Sequence, residues 1–370
     1  MISTIHHWVS CLYFFRHQGQ ECTRKCGKLL TVLTAVGMMV SVDLVVEAKT
    51  SSPHSSAQAA TNPGAQATAN RAPALLAASS QPARRQNDEF WVVSTRHLGC
   101  AQRGTDAVTD LRFSLRKDNG SWIETTISDY EAEETTCPTT IIYVHGNRAN
   151  RSHALARGQD VYRKITQKLD LKTKIRFVIW SWPSTQKKGL IHDFRVKAHR
   201  TNSEGFYLGE FLSARPPETQ ISLIGFSYGA RVVTGATHVM GGGKLAGRYA
   251  PDSYSDRDVR VVLIAAALHT PWLYPGNYHS HALKKADQAL LLFNNRDAIL
   301  KRYWIVEEGR NPSALGYTGL DKSRLGSAAE QFKQINVCRS IRKEHAEATY
   351  WGSTQVIKNV RKYVLWEPVD

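Results

Sequence analysis

The sequence lacks the cysteine and histidine spacings that usually hold a metal or a redox centre. It contains six cysteines, and no two of them form a C-x-x-C pair, so zinc-binding and thioredoxin-like chemistry are not indicated. His279 and His281 could chelate zinc, but no third ligand follows them at a familiar spacing. We therefore predict neither a metal nor another cofactor. Whether Cys100 and Cys137 form a disulfide stays open.

Acidic residues are in short supply. The chain has 32 Asp and Glu against 48 Lys and Arg, which gives a net charge of +16. No arginine-rich run is interleaved with aromatic residues and no nucleic-acid-binding signature is present, so a nucleic-acid partner is not indicated. The basic residues are either solvated side chains on helices and loops, or they face an acidic membrane or wall polymer. Both interpretations stay open.

The chain also lacks an apolar run of comfortable transmembrane length. Residues 29–42 are fourteen apolar or small residues that follow a basic segment at 24–28, as in the hydrophobic region of a signal peptide. Val46 and Ala48 offer small side chains at the −3 and −1 positions of a cleavage site. We predict a signal peptide within residues 1–48 and export to the periplasm, the cell surface or the medium. The alternative is an uncleaved signal anchor that tethers the protein to a membrane.

Residues 49–86 consist almost wholly of Ala, Ser, Thr, Pro, Gln, Asn, Gly and Arg. Such a composition cannot bury enough apolar surface to fold, so it predicts a flexible linker. Apolar patterning returns at residue 87, and residues 87–370 form the predicted folded domain.

The folded domain is predicted to begin with an antiparallel edge. Residues 90–95 and 110–115 have strand composition, and the second run is followed by the hairpin signal Lys117-Asp118-Asn119-Gly120. Residues 122–127 then return along it. These runs predict the first strands of a larger sheet.

The later strands are of a different kind, because they are nearly continuous apolar runs. Strands buried on both faces of a parallel sheet have this composition. The helical patterns between them predict βαβ units and a doubly wound α/β sheet with helices on both faces. Ligands bind beyond the carboxyl ends of the strands in such sheets. The predicted strands are 139–144, 175–180, 221–224, 259–266, 289–293 and a short stretch at 335–338, and the predicted helices are 152–169, 196–212, 230–240 and 353–365.

Ser227 lies in a G-x-S-x-G pattern, Gly225 to Gly229, between a predicted strand and a predicted helix. This is the context of a nucleophile elbow, in which a serine sits on strained backbone at a sharp turn. The glycines let neighbouring chain approach the turn without a Cβ in the way. The alternative is an ordinary junction between a strand and a helix.

Residues with acid–base chemistry follow other strands. Asp297 lies just past the strand 289–293, His345 follows the stretch 335–338, and the turn His145-Gly146-Asn147-Arg148 ends the first buried strand. Serine, then acid, then histidine, each after a different strand, is the chain order of an α/β-hydrolase triad.

These motifs together resemble the α/β-hydrolase superfamily, and within it the chain is most similar to bacterial serine hydrolases of unassigned substrate. The resemblance rests on Val144 to Asn147, Gly225 to Gly229, Asp297 and His345, and it covers residues 90–366. It implies an α/β-hydrolase fold and hydrolysis by acyl transfer through a catalytic serine.

The predicted catalytic roles follow from the chemistry of the side chains. Ser227 is the nucleophile, and His345 is the base that takes its proton and later protonates the leaving group. Asp297 fixes the imidazole tautomer; Asp287 and Glu307 are the alternative acids. His345 could instead be an ordinary surface histidine, and Asp297 could instead cap a helix beginning at residue 298.

An oxyanion hole is predicted from backbone N–H groups. One donor is Tyr228, and a second comes from the turn at Gly146, Asn147 or Arg148. The side chains of His145 and Asn147 are expected to brace that turn rather than contact substrate. The alternative is a tight turn that only ends a strand.

The predicted activity is cleavage of a carboxylic ester, with a small molecule or a lipid as substrate; a thioester or an amide is also compatible with the triad.

The aromatic segment 271–278 is either a lid that faces the substrate or a packed surface loop. Two rival functions are a binding or scaffold protein with a hydrolase fold but no turnover, and a tethered module that binds polyanions.

Overall fold

The structure is a computed structural model that describes residues 85, 87–100, 110–132, 137, 139–167, 174–249, 259–307 and 311–368. The predicted signal peptide and almost all of the predicted linker lie outside these residues. Arg85, two residues before the predicted domain start, already contacts the domain: its backbone N–H donates to the Tyr162 hydroxyl at 3.2 Å, and its guanidinium lies 3.4 Å from Asp88. None of the helices in the described ranges has the length and apolarity to cross a membrane.

The described residues form one nine-stranded sheet in the order β3-β2-β1-β5-β4-β6-β7-β8-β9. All neighbours from β1 to β9 in this order are parallel, whereas β2 pairs antiparallel with both β1 and β3. The predicted antiparallel N-terminal edge is therefore confirmed. The strands are β1 (Glu89–Ser94), β2 (Arg112–Arg116), β3 (Trp122–Thr125), β4 (Thr139–Val144), β5 (Ile175–Ser181), β6 (Gln220–Phe226), β7 (Val259–Ile264), β8 (Ala286–Phe293) and β9 (Phe332–Asn336).

The central strands are mostly apolar because both of their faces are covered. Every residue of β4 and β5 is buried, and Ile142 of β4 lies in register between Val178 of β5 and Leu223 of β6. Burial of a side chain of this size stabilises the fold by roughly 1.5–3 kcal/mol. This layer is the core that fixes the strand ends in space.

Helices cover both faces of the sheet. Parallel crossover connections are right-handed, so the steps from β4 to β5 and from β6 to β7, which run in opposite directions along the sheet, place their helices on opposite faces. In agreement, the helix Arg151–Thr166 packs with the helix Thr354–Val364, and the helix Leu190–Ser213 packs with the helix Tyr228–Met240. The helices are α1 (Ile127–Ala132), α2 (Arg151–Thr166), α3 (Leu190–Ser213), α4 (Tyr228–Met240), α5 (Tyr303–Val306), α6 (Leu315–Thr318), α7 (Cys338–Ile341), α8 (Glu347–Trp351) and α9 (Thr354–Val364).

The predicted α/β class, a mostly parallel sheet with helices on both faces, is therefore confirmed, with differences at element ends. Helix α3 begins at Leu190, six residues before the predicted start at 196, because Gly189 with φ 83° turns the chain into the helix. Strand β9 ends at Asn336 rather than at 338, since the chain enters α7 there.

Candidate active site

Ser227 joins β6 to α4 at a sharp turn. Its backbone has φ 53° and ψ −117°, a region that non-glycine residues rarely adopt and that costs of order 1–3 kcal/mol. The surrounding chain fixes this conformation: the Ser227 N–H donates to the Ile264 carbonyl at 2.9 Å, and the Ala267 N–H donates to the Ser227 carbonyl at 3.2 Å. The predicted elbow geometry is thus present at the carboxyl end of β6.

The two glycines of the elbow allow close approach of backbone. A Cβ at Gly229 would overlap the Val144 carbonyl oxygen, and a Cβ at Gly225 would lie 2.5 Å from Ala230 Cα. Alanine fits at neither position unless backbone moves. The pattern therefore has a steric cause in this fold.

His345 lies between Ser227 and Asp297. Its Nε2 is 3.1 Å from Ser227 Oγ, and its Nδ1 is 2.7 Å from Asp297 Oδ2. The hydrogen-bond network assigns the proton to Nδ1, which donates to the carboxylate, so that Nε2 is free to accept from the serine hydroxyl. Phe226 packs against the imidazole, with ring centroids 5.5 Å apart.

Asp297 uses its two carboxylate oxygens for two tasks. Oδ1 accepts hydrogen bonds from the Ile299 and Leu300 N–H groups, both at 2.9 Å, as a helix cap does. Oδ2 accepts from His345, and the Tyr350 hydroxyl lies 3.4 Å from the same oxygen. The side chain is fully buried. The hydrogen bonds expected for both alternative roles of Asp297 are therefore present together.

The loop that carries His345 is docked onto the turn that carries Asp297. The Asn294 side-chain amide donates to the Arg342 carbonyl at 3.0 Å, and the Ala298 N–H donates to the Lys343 carbonyl at 3.0 Å. Asn294 is fully buried. Sequence reasoning did not identify Asn294, although an asparagine directly after an apolar strand was a usable signal.

The two alternative acids lie elsewhere. Asp287 is at the amino end of β8, where it pairs with Arg260 at 3.0 Å. Glu307 is buried beside α4, where its Oε1 accepts from the Tyr228 hydroxyl at 3.0 Å and from Arg231 at 2.9 Å. The structure places neither carboxylate on His345.

Glu307 is nevertheless close to the elbow, because Tyr228 directly follows the serine. His269 Nε2 also lies 3.5 Å from Glu307 Oε2. Burial opposes ionisation of Glu307, but hydrogen bonds from His269, Arg231 and Tyr228 and the charge of Arg231 outweigh it and lower its pKa. Burial and the Glu307 charge raise the pKa of Tyr228 well above its usual value. A neutral phenol therefore donates to an ionised carboxylate.

The predicted oxyanion donors lie around the serine. A Cβ built on Gly146 would be 3.3 Å from Ser227 Cβ, so this turn touches the elbow. Tyr228 is the first residue of α4, where N–H groups have no partner within the helix. The Arg148 N–H, however, donates to Asn147 Oδ1 at 2.8 Å. The Arg148 N–H therefore has an acceptor within the turn, and the oxyanion role of Gly146, Asn147 and Arg148 stays a prediction.

The buried side chain of His145 contacts the turn at 145–148 and Trp182. It is fully buried, and its ring is stacked on Trp182 with centroids 5.7 Å apart. Nδ1 donates to the Gly146 carbonyl at 2.9 Å, and Nε2 accepts from the backbone N–H of Trp182 at 3.3 Å. Burial lowers its pKa well below the usual value, and the Arg96 charge acts in the same direction. A neutral, bracing His145 agrees with the predicted contacts.

The aromatic segment 271–278 is largely packed. Leu273 and Tyr274 are buried, and Trp272 stacks on His269 at 4.7 Å with the Arg231 guanidinium 4.5 Å from its ring. Tyr278 is 43% exposed. These contacts favour the packed-loop alternative over a lid.

The histidines and cysteines with open roles have other contacts. His279 Nδ1 is 2.9 Å from Thr234 Oγ1, and His281 Nδ1 is 2.9 Å from the Gly241 carbonyl. Within the described ranges, no group of three or more potential ligands is arranged to hold a metal. Cys100 is exposed and Cys137 is buried, and no disulfide joins them.

Comparison with known proteins gives low similarities. No family model and no curated protein matches the sequence. Among solved structures, the chain is similar to acyl-protein thioesterase 2 from Zea mays, with 15% identity, 63% of this chain and 94% of that chain covered, and a TM-score of 0.36.

Two further solved structures are similar at the same level. The catalytic core domain of acetyl xylan esterase from Trichoderma reesei has 12% identity, 63% and 100% coverage and a TM-score of 0.34. A cutinase-like protein from Cryptococcus sp. has 13% identity, 63% and 97% coverage and a TM-score of 0.32. At these sequence identities and TM-scores, the similarities do not indicate what the present chain binds or cleaves.

Proposed function

We propose that this protein is a serine hydrolase that cleaves a carboxylic ester through an acyl-enzyme. The observation that carries the proposal is the continuous hydrogen-bonded chain from Ser227 through His345 to Asp297, with contacts of 3.1 and 2.7 Å. These lengths lie within the range needed for proton transfer between a nucleophile and its base.

In the proposed reaction, Ser227 Oγ attacks the ester carbonyl carbon while His345 Nε2 takes the hydroxyl proton. The imidazolium is stabilised by Asp297 Oδ2, and it then gives the proton to the departing alcohol oxygen. Water enters, and His345 Nε2 takes a proton from it as its oxygen attacks the acyl carbon. The imidazolium then returns the proton to Ser227 Oγ as the bond from Oγ to the acyl carbon breaks, which releases the carboxylic acid. The proton transfers use only these three side chains, the ester and water.

The negative oxygen of each tetrahedral intermediate is proposed to lie between two backbone donors. Tyr228 supplies one N–H from the start of α4, and Gly146 or Asn147 supplies the other. Removal of one such donor costs roughly 10²–10³ in rate in other hydrolases. The strained elbow supports this proposal, because in nucleophile elbows the backbone N–H of the residue after the serine is one of the oxyanion donors.

The test is hydrolysis of p-nitrophenyl esters of increasing acyl length, measured as kcat/KM. We expect turnover by the full chain and at least a ~10³-fold loss in Ser227→Ala. Ser327→Ala, at an exposed serine, is the matched control and should be unchanged. Absence of turnover for esters, thioesters and amides alike would favour the non-catalytic scaffold. Retention on a polyanion matrix that is salt-sensitive and unaffected by Ser227→Ala would indicate that polyanion binding is an additional or separate function.

We also propose that residues 1–48 direct export and that residues 49–86 tether the hydrolase domain. The sequence composition supports both statements. Sequencing the N-terminus of the mature protein from cell fractions tests them. Cleavage near residue 48 is expected for a signal peptide, and an intact N-terminus in the membrane fraction indicates the signal anchor.

A further inference from the structure

The loops at the carboxyl ends of the strands that flank Ser227 carry exposed charge of nearly one sign. The segments directly after β4, β5, β8 and β9 are 145–152, 182–195, 294–302 and 337–346. They hold nine exposed basic residues against one exposed acid, Glu344, so the exposed charge of these segments is strongly positive. We name these nine residues the basic rim. They are Arg151, Lys187, Lys188, Arg195, Arg296, Lys301, Arg339, Arg342 and Lys343.

The other acids of these segments are buried and engaged. Asp193 is fully buried, and it accepts from Arg148 at 3.2 Å and pairs with Lys197. Asp297 is fully buried against His345. Neither carboxylate offsets the rim at the surface.

The opposite edge of the sheet is mixed in sign, so the rim does not simply repeat the net charge of the chain. Exposed Asp118 follows exposed Lys117 at the end of β2, and exposed Glu218 precedes β6. Asp287 pairs with Arg260 at the start of β8. Exposed acids are therefore present elsewhere on the described surface and are scarce around the candidate site.

The rim is close to the catalytic groups. Arg296 precedes Asp297, and Lys343 lies two residues before His345, which is within about 8 Å along the chain. On the other side, the Lys187 N–H donates at 2.7 Å to Asp193, which holds Arg148 of the oxyanion turn. Arg296 and Lys343 are thus neighbours of the catalytic groups along the chain, and charges closer together than the Debye length, about 10 Å at 0.1 M salt, are only partly screened.

We propose that the ester cleaved at Ser227 carries a negative group, such as a carboxylate, phosphate or sulfate, near the scissile bond. This inference rests on the proposed function and adds its substrate class. The basic rim attracts the anionic ester and lowers its KM, whereas a neutral ester of the same shape gains nothing from it. Focused positive potential of this kind raises association rates by 10–10³-fold in other proteins, with a steep dependence on salt.

The test compares two acetate esters that differ in charge, 4-acetoxybenzenesulfonate and its neutral sulfonamide analogue. Each kcat/KM is divided by the rate of uncatalysed hydroxide hydrolysis of the same ester, which removes differences in leaving-group reactivity. We expect the anionic ester to be favoured about tenfold at low salt, and the preference to shrink towards parity at about 1 M salt, where the Debye length is about 3 Å.

A matched pair of variants assigns the preference to the rim. Lys187→Gln/Lys188→Gln removes two rim charges, and Lys284→Gln/Lys285→Gln removes the same dipeptide charges just before β8, at the opposite edge. We expect the rim variant to lose most of the anionic preference and the other variant to keep it. Equal normalised rates for the two esters at low salt, or equal losses in the two variants, would overturn the inference while leaving the proposed hydrolase intact. Turnover of neither ester, together with no turnover of the p-nitrophenyl series, would overturn both.

Discussion

Asp297 shows how one buried side chain can serve the fold and the candidate site together. Its Oδ1 holds the N–H groups of Ile299 and Leu300, and its Oδ2 holds His345 Nδ1. The cap fixes the carboxylate, and the fixed carboxylate then sets the plane and tautomer of the imidazole. Structural and catalytic contributions can be separated because they use different oxygens.

Asp297→Asn tests this separation. The amide oxygen can keep the two cap hydrogen bonds, while its NH₂ faces His345 and favours the wrong tautomer. We expect a loss of about 10⁴ in kcat with little change in thermal stability. Asp297→Ala should lose the cap as well, at a cost of about 0.5–2 kcal/mol. Ester kinetics and urea unfolding of both variants provide the measurement, and an active Asp297→Asn would contradict the assigned role.

His238, near the end of α4, supplies a pH-dependent prediction. Burial lowers its pKa to about 4, and the neighbouring His281 acts in the same direction. An unfolded histidine binds a proton below about pH 6.5, whereas the folded one stays neutral until about pH 4. The unfolded state therefore binds more protons in this range, and the free energy of unfolding decreases as the pH is lowered from about 6.5 to about 4.

The measurement compares wild type with His238→Gln by urea unfolding at pH 7 and pH 5. The variant lacks the titration, so we expect the wild type to lose about 1–2 kcal/mol more than the variant on acidification. His153→Gln, at an exposed histidine, is the control and should follow the wild type. An identical pH dependence in wild type and His238→Gln would exclude the histidine as the cause.

At the scale of elements, the junction of β6 with α4 has room only for glycine at position 229, where the backbone lies against the Val144 carbonyl. Gly229→Ala would press a Cβ against the Val144 carbonyl, so we expect destabilisation of roughly 1–3 kcal/mol or more and loss of activity. Gly99→Ala is the matched control, because nothing lies within 4 Å of its Cβ position. Unfolding midpoints of both variants check this, and equal stability of the two would contradict the steric account.

Helix α4 is also tied to the segment after α5 through Glu307. Glu307→Ala leaves the buried Arg231 without this carboxylate, which is expected to cost about 3–5 kcal/mol and to lower kcat by releasing Tyr228. Asp287→Ala breaks a pair in which the Asp287 side chain is 40% exposed, and it should cost at most about 1 kcal/mol. Equal decreases in the free energy of unfolding for the two variants, measured by urea unfolding, would contradict the larger stabilisation expected from Glu307.

Much of this arrangement could be predicted from the sequence, because the relevant signals are local. Continuous apolar runs indicated the buried strands, and Ser227 and Asp297 each follow one of them, whereas His345 follows the short stretch at 335–338. The remainder depends on docking between distant segments. The position of Asn294 after an apolar strand is a local signal, but no local signal identifies its partner, the loop before His345. The same holds for Glu307 and the Tyr228 hydroxyl.

For the whole molecule, the basic residues are unevenly placed rather than merely abundant. Exposed positive charge predominates around the candidate site, where Glu344 is the one exposed acid of the rim segments, while other exposed acids lie on other parts of the described surface. Net charge could be read from the sequence, but its concentration at one edge could not, because it depends on which loops the sheet order brings together.

The domain boundary is a further prediction at this scale. A chain beginning at Arg85 retains the contacts of Arg85 with Tyr162 and Asp88. We expect it to match the full chain in unfolding midpoint and in kcat/KM, since residues 1–84 are predicted to be signal peptide and linker. A truncated chain that is less stable or less active would contradict this division.

The central claim is that Ser227 is a nucleophile activated by His345 and Asp297. The most direct measurement is labelling of the full chain with a fluorophosphonate probe, followed by intact-mass and peptide-mass analysis. The account predicts one label per chain on Ser227, retained in Ser327→Ala and absent in Ser227→Ala. No label on the native protein, or a label that persists in Ser227→Ala, would contradict it.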